Sequence, residues 1–433
     1  MPKARAANKL PCAHSALFLE SSKHAAEVGY SQPTPQKRQA ATQPSGRVSK
    51  KSTASIPGPS TFPPPLILPG DELARNPSGA PQSFRSWAQT PTRNQPDAAR
   101  RTIYVVPPPN IDDSVPFLTD ALTPLVCPGA STGLSSSDET APTCEFGGLQ
   151  QNAIVDFLRA FYHPLPVEVL TSPRPTFTLW RDRTRRSQPS EKTPIALSIG
   201  KGQIHVHHRP SPDSIFSSQL NLNDMLEAAL AILPSDAHSL IMLTHHDIYE
   251  DEDDDFCCGR AYGGSRISIV STARYSPSLD QVAGIDKAHA WPASHCADFV
   301  ANNSGCAPPR PRKRAKLTSK PTDHDTNEPP PTITSPMQAA LSTIQTTPPS
   351  PSTPTSTSSA LTTLWLSRVC KTASHELGHC FGLDHCTYYA CVMQGTAGLG
   401  EDSRQPPYLC PVDLAKLLRA TGGGAVELSL IHI

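Results

Sequence analysis

Aromatic residues are scarce in this 433-residue sequence, at 6%, and hydrophobic residues of all kinds reach only 37%. A chain so poor in apolar side chains cannot form one compact core along its whole length. Charge of one sign is missing too, with 38 Lys and Arg against 38 Asp and Glu. That balance excludes a whole-molecule electrostatic pull toward nucleic acid or membrane. No run approaches the roughly 18 apolar residues of a membrane span. The first residues are basic, but the apolar stretch at 16–19 is too short for a secretion signal. A mitochondrial leader is a weaker reading of this acid-free start, and a flexible tail is preferred. Without a secretion signal, the 12 cysteines are expected as thiols or metal ligands, not as a disulfide framework.

Proline, in contrast, is plentiful. Its 48 residues are about twice the average usage. They are densest in 301–360, with twelve, read as a disordered Pro/Ser/Thr-rich insertion whose surface loop closes at modest entropic cost. Others lie in 1–60, read as a disordered tail, and in short loops after strands. The segments between and after, 61–300 and 361–425, then form one folded domain. Apolar patterning predicts helices over 149–161, where Ile154, Phe157, Leu158 and Phe161 recur at helical spacing, and over 222–233, with Asn221 or Asn223 as cap. Strands are predicted at 102–106, 176–180, 195–199, 204–206, 240–243 and 267–270. The acidic run 250–255 reads as a solvated loop. It lacks the EF-hand pattern of a calcium site. The basic run 310–316 (RPRKRAK) is similar to a nuclear localisation signal, so the expected location is cytoplasmic, nuclear or both.

The chemistry lies in His375-Glu376-Leu377-Gly378-His379-Cys380-Phe381-Gly382-Leu383-Asp384-His385, which spells HExxHxxGxxH. Upstream, Leu366, Val369, Cys370, Ala373, Leu377 and Cys380 make one apolar helix face. His375 and His379, one turn apart on another face, can reach a single ion. Zinc binds imidazole nitrogen at about 2.0–2.1 Å, which a rigid helix can hold. Gly382 lets the chain leave the helix in the left-handed region and return His385 as a third ligand. Three protein ligands leave a coordination position for water, the mark of a catalytic zinc. Glu376, a partial turn away, is placed to take a proton from the zinc-bound water and pass it to a leaving amine. That is the chemistry of amide hydrolysis.

HExxHxxGxxH followed by HCx4CxM (His385, Cys386, Cys391, Met393) and a downstream Cys410-Pro411 resembles the archaemetzincins, a branch of the metzincin metallopeptidases. The match is close over about 370–415 and weaker over 243–275. The resemblance implies an α/β zincin-like fold, in which a mixed twisted sheet with two helices lies above the active-site helix. A small irregular C-terminal part follows. It implies His375, His379 and His385 as catalytic zinc ligands, Glu376 as general base and Met393 as an apolar floor beneath the metal. It also implies a second, structural zinc held by four cysteines. Cys386, Cys391 and Cys410 match three of these, whereas the fourth position is Asp413. A carboxylate can bind zinc, though it is the harder ligand and binds more weakly. Loss of the second site, or a remote substitute ligand, are the alternatives.

Other candidates read mainly as structural. His205, His207 and His208 are expected on an exposed strand. His245, His246 and Asp247 are expected to cap or brace a turn, Cys257 and Cys258 to be reduced thiols, and Cys380 to pack. The ending after Thr421 does not continue the preceding helix and reads as truncated or non-native. The expected function is a monomeric zinc metallopeptidase acting on a peptide or protein, with no nucleic-acid or membrane partner. The competing reading is a zinc-stabilised binding module of little turnover with nuclear partners. The intact Glu376 argues against it.

Overall fold

The computed structural model describes residues 22–48, 62–125, 151–180, 193–262, 264–285 and 354–423. The basic run 310–316, the insertion up to 353, the first 21 residues of the tail and the final ten residues lie outside the described residues.

In chain order the strands are β1 (Thr102–Val106), β2 (Asn110–Ile111), β3 (Val167–Val169), β4 (Thr176–Leu179), β5 (Ile195–Ile199), β6 (Gly202–Val206), β7 (His208–Arg209), β8 (Gln219–Asn221), β9 (Ala237–Thr244), β10 (Asp247–Tyr249), β11 (Gly259–Ala261) and β12 (Ile267–Ser271). The central sheet has the order β11-β12-β9-β1-β3. Its last four strands run parallel, and β11 is antiparallel at the edge. Smaller sheets, β10-β8-β7 and β2-β4-β5-β6, flank it.

Alternation along the strands decides the layers, because successive side chains point to opposite faces. Ile103 and Val105 of β1, with Ile241 and Leu243 of β9, enter one apolar cluster. Val106, Leu240 and Met242 enter the other. Every residue of β9 is buried, as expected of a parallel strand covered on both sides. The first cluster holds the helices Gln151–Phe161 and Pro354–Cys380, and the second holds Leu222–Ala231. The two predicted helices therefore lie on opposite faces of the sheet, one beside the long helix and one across from it. Asn221 is the cap, its side chain accepting from the Asp224 N–H at 3.2 Å. Chain from both sides of the proline-rich stretch shares the first cluster. Trp365, Val369, Ala373 and Leu377 pack with Tyr275 and Val270.

The reading of 1–60 as a disordered tail is corrected for 22–48. Two short helices form there, Lys23–Glu27 and Pro35–Ala41, capped by the Ser22 and Thr34 side chains. The Tyr30 hydroxyl donates to the Thr387 carbonyl at 2.9 Å, and the Arg38 guanidinium lies 5.3 Å from the centroid of the Tyr389 ring. Elements this short carry no readable period. They hold through a small apolar cluster of Ala25 and Tyr30 with Ile67 and Leu73, and through side chains set against the C-terminal part.

Balanced charge is spent partly inside. Arg274, 2% exposed, is bonded to Asp213 and to the fully buried Asp247. Arg368 pairs with Asp280 at 2.6 Å, and Arg404 with Asp71 at 2.5 Å. The last of these ties the N-terminal segment to the helix Leu399–Arg404. Among the described residues, no helix is long and apolar enough to cross a membrane.

Candidate metal centre

The long helix ends in a Schellman arrangement. The Gly382 N–H donates to the His379 carbonyl at 2.8 Å, and the Leu383 N–H to the Gly378 carbonyl at 3.2 Å. Gly382 has φ +76°, and a Cβ there would meet Arg93 Cγ at 2.7 Å. Backbone hand and lack of space both require glycine at that position. The turn carries His385 back toward the helix. The ligand atoms of His375, His379 and His385 all lie within 4.8 Å of one another.

The ring nitrogens are sorted by their partners. His375 Nδ1 bonds the Val392 carbonyl at 2.7 Å, and His379 Nδ1 bonds the Leu383 carbonyl at 2.6 Å. A carbonyl only accepts, so each Nδ1 carries the proton and each Nε2 presents a bare lone pair. The two Nε2 atoms face each other at 3.0 Å. Lone pairs at that distance repel unless a cation sits between them, and imidazoles oriented by carbonyls are the usual metal ligands. Burial, with the neighbouring imidazoles, holds His375 and His379 below the ordinary histidine range, the latter at about 4. The donor set thus fits zinc with the open position of a catalytic site.

Glu376 is turned to the edge strand β11. Burial pushes its carboxyl up to about 8, opposed by the Arg260 guanidinium and the Ala261 backbone amide nearby. A bound dication would push it back down. At Gly259 a Cβ would stand 3.1 Å from Glu376 Cγ, so glycine there gives the carboxylate its room. Glu376 and His375 line a cavity of about 500 Å³. Arg260, Lys371, Gln394 and Asp402 line it too, as does the acidic run through Glu250 and Asp253 to Asp255. That run is largely exposed, as expected. Its fixed form comes from Arg209, which donates to the carbonyls of Asp251, Glu252 and Asp254.

Met393 is fully buried beneath the histidine pair. A Cβ at Gly378, between the two ligands on the helix, would stand 2.5 Å from Met393 Sδ. Gly378→Ala is therefore expected to destabilise the chain despite alanine's better helix propensity. Overpacking costs about 1–3 kcal/mol against a propensity gain of about 1 kcal/mol. A calorimetric scan should show a lower Tm, with activity reduced. An unchanged Tm would mean that Met393 moves aside freely.

The second cluster is Cys386, Cys391, Cys410 and Asp413, all buried, with ligand atoms within 4.8 Å of one another. Cys386 Sγ lies 3.5 Å from Cys410 Sγ, and Asp413 Oδ2 lies 3.4 Å from the sulfurs of both Cys391 and Cys410. Asp413 Oδ1 is taken by Lys416 Nζ at 2.7 Å. Burial pushes the Asp413 carboxyl up to about 7, with Cys386 adding to the rise and Lys416 opposing it. Converging sulfurs at this spacing suit tetrahedral zinc, with one carboxylate oxygen as fourth donor. Lys416 had no signal of its own in the sequence, beyond standing three residues after an acid on a helix.

The remaining candidates have structural partners. Of the three histidines expected on an exposed strand only His207 is exposed, between β6 and β7. His205 packs on Trp180 and His208 bonds the Thr193 carbonyl, both half-buried. His207 Nδ1 pairs with Asp224 at 2.8 Å, and His246 Nε2 donates to the Leu118 carbonyl at 3.1 Å. Asp247 belongs to the Arg274 pair. Cys257, Cys258 and Cys380 are free thiols, and Cys380 is fully buried.

Residues 357–419 match the model of peptidase family M54. Human archaemetzincin-2 is 24% identical over 362 residues, covering 84% of this chain and 71% of that protein. Rat archaemetzincin-2 is 48% identical over 67 residues, covering 16% of this chain and 19% of that protein. The crystal structure of archaemetzincin from Methanopyrus kandleri is 15% identical, covering 75% of this chain and 97% of that one, with a TM-score of 0.32.

Proposed function

Because this chain belongs to the archaemetzincin family of zinc metallopeptidases, we propose that it hydrolyses peptide bonds with His375, His379 and His385 as zinc ligands and Glu376 as the proton carrier. The supporting observation is the pair of bare Nε2 atoms facing each other at 3.0 Å, beside a buried carboxylate that lines a cleft.

Bound zinc supplies a Lewis acid, which polarises the scissile carbonyl and acidifies water. The chain's own residues do the rest. Val392 and Leu383 hold two imidazoles in the tautomer that exposes Nε2. Close packing beside Gly259 of β11 sets the Glu376 carboxylate at the cleft. There it accepts the proton of the attacking water and returns it to the departing amine. Glu376 adjoins a ligand in sequence but is outside the cluster of converging donor atoms, which leaves it free to carry that proton.

Cys386, Cys391, Cys410 and Asp413 hold a second, structural zinc in this reading. The competing reading, a zinc-stabilised binding module, has no use for a carboxylate buried at the cleft. One experiment decides between them. The full chain, stripped with a chelator, should cleave nothing in a peptide library, and stoichiometric zinc should restore cleavage. Cleavage that persists after zinc removal would refute the metallopeptidase mechanism. A zinc-loaded chain that cleaves nothing would favour the binding module.

A further inference from the structure

Among the contacts between the N-terminal segment and the metal-binding part, one carboxamide reaches toward both candidate sites. Gln82 Nε2 donates to the Gly382 carbonyl at 3.0 Å and to Asp384 Oδ2 at 2.9 Å. Its Oε1 accepts from the Asp384 N–H at 3.2 Å and from Lys416 Nζ at 2.8 Å. An amide side chain offers two donor hydrogens and an acceptor oxygen with two lone pairs, so all four positions are used. Gly382 and Asp384 form the turn that delivers His385. Lys416, 1% exposed, spends another hydrogen on Asp413 Oδ1. Trp87 and Arg93 back the same turn. The Trp87 indole donates to the Phe381 carbonyl at 3.0 Å, and the Arg93 guanidinium stacks 3.7 Å from its ring centroid.

We propose that Gln82 and Lys416 are positioning residues that couple the two metal sites through the hydrogen-bonded chain His385 turn, Gln82, Lys416, Asp413. The proposal rests on the ligand assignment above. The coupling has a physical origin in Asp413. A carboxylate at this position needs a buried counter-ion to fix one oxygen and turn the other toward the sulfurs. Lys416 is that counter-ion, and its remaining donor capacity is directed at the carboxamide that clamps the His385 turn. Ordering Asp413 on a metal therefore orders Lys416, then Gln82, then the turn. Linkage makes the effect reciprocal.

The test uses the full chain, stripped of metal and titrated with cobalt(II), so that it does not depend on hydrolysis. Thiolate-to-cobalt charge-transfer absorption reports the three-cysteine, one-aspartate site, and the visible bands that appear without it report the three-histidine site. Gln82→Ala is expected to weaken the three-histidine site by about tenfold or more, the usual range for a residue that orients metal ligands. The thiolate band should still form at full intensity, its affinity lowered only by the lost coupling. Lys416→Met should weaken the same site, and the double variant should be no weaker than the worse single one, as expected for members of one chain. Lys416→Arg, which keeps a cation in reach, should recover much of the loss.

Three results would overturn the coupling. One is an affinity for Gln82→Ala within about twofold of wild type. The second is losses that multiply in the double variant. The third is loss of both sites together with the near-ultraviolet circular dichroism, which would assign these residues to folding alone. A chain that shows the coupling yet cleaves no peptide would count against the peptidase reading and leave the coupling standing.

Discussion

Asp413→Ala is expected to empty the second metal site and to destabilise the chain severely. Two losses combine. The cluster keeps only Cys386, Cys391 and Cys410 as donors, and Lys416 is left as an ammonium 1% exposed with no carboxylate beside it. Removing one partner of a buried pair typically costs about 3–5 kcal/mol, and the folding energy supplied by a structural zinc is lost as well. Metal analysis should fall from two zincs per chain to one at most, and the unfolding midpoint should fall steeply. Asp413→Cys separates the causes, since it keeps four donors and exchanges a hard oxygen for a soft sulfur. It should retain two zincs. Two zincs and an unchanged midpoint in Asp413→Ala would show that the carboxylate is not a ligand.

Glu376→Gln is expected to lower the hydrolysis rate by about 10²- to 10⁴-fold, the range for losing a general base, while zinc content stays the same. Glutamine matches the carboxylate in shape, so its fit against Gly259 is little disturbed. What it lacks is the ability to take and return a proton. The His375 and His379 tautomers are set by the carbonyls of Val392 and Leu383, independently of residue 376. Metal binding and catalysis should therefore separate cleanly in this variant.

The metal-binding helix was legible because its information is local. A 3.6-residue period places His375 over His379, and a glycine marks where the helix must stop. The longer strands and both mid-length helices were legible for the same reason, through apolar periods that match one face. Strand β9 was read too short because His238 and Ser239 are polar and yet fully buried, so the pattern stopped before the strand did. Strand β11 was missed altogether. Its sequence, Gly-Arg-Ala, has no strand period, and its place is set by pairing with β12.

The N-terminal segment was the largest departure. Residues 22–48 carry no readable apolar stripe because their few buried side chains meet partners distant in sequence, such as Ala25 with Ile67, Tyr30 with Thr387 and Arg38 with Tyr389. Gln82 is likewise an ordinary polar residue until the fold brings Gly382, Asp384 and Lys416 to it. The departure at Asp413 was visible in the sequence, and the spacing left its consequence open. Only the geometry shows a carboxylate with one oxygen on the sulfurs and the other on a buried lysine.

Zinc content and peptide-library cleavage, read by mass spectrometry on the same preparations of wild type and Glu376→Gln, test the central claim most directly. The account expects equal zinc in both proteins, new chain ends from the wild type and none above background from the variant. Equal cleavage by the two zinc-loaded proteins would contradict it.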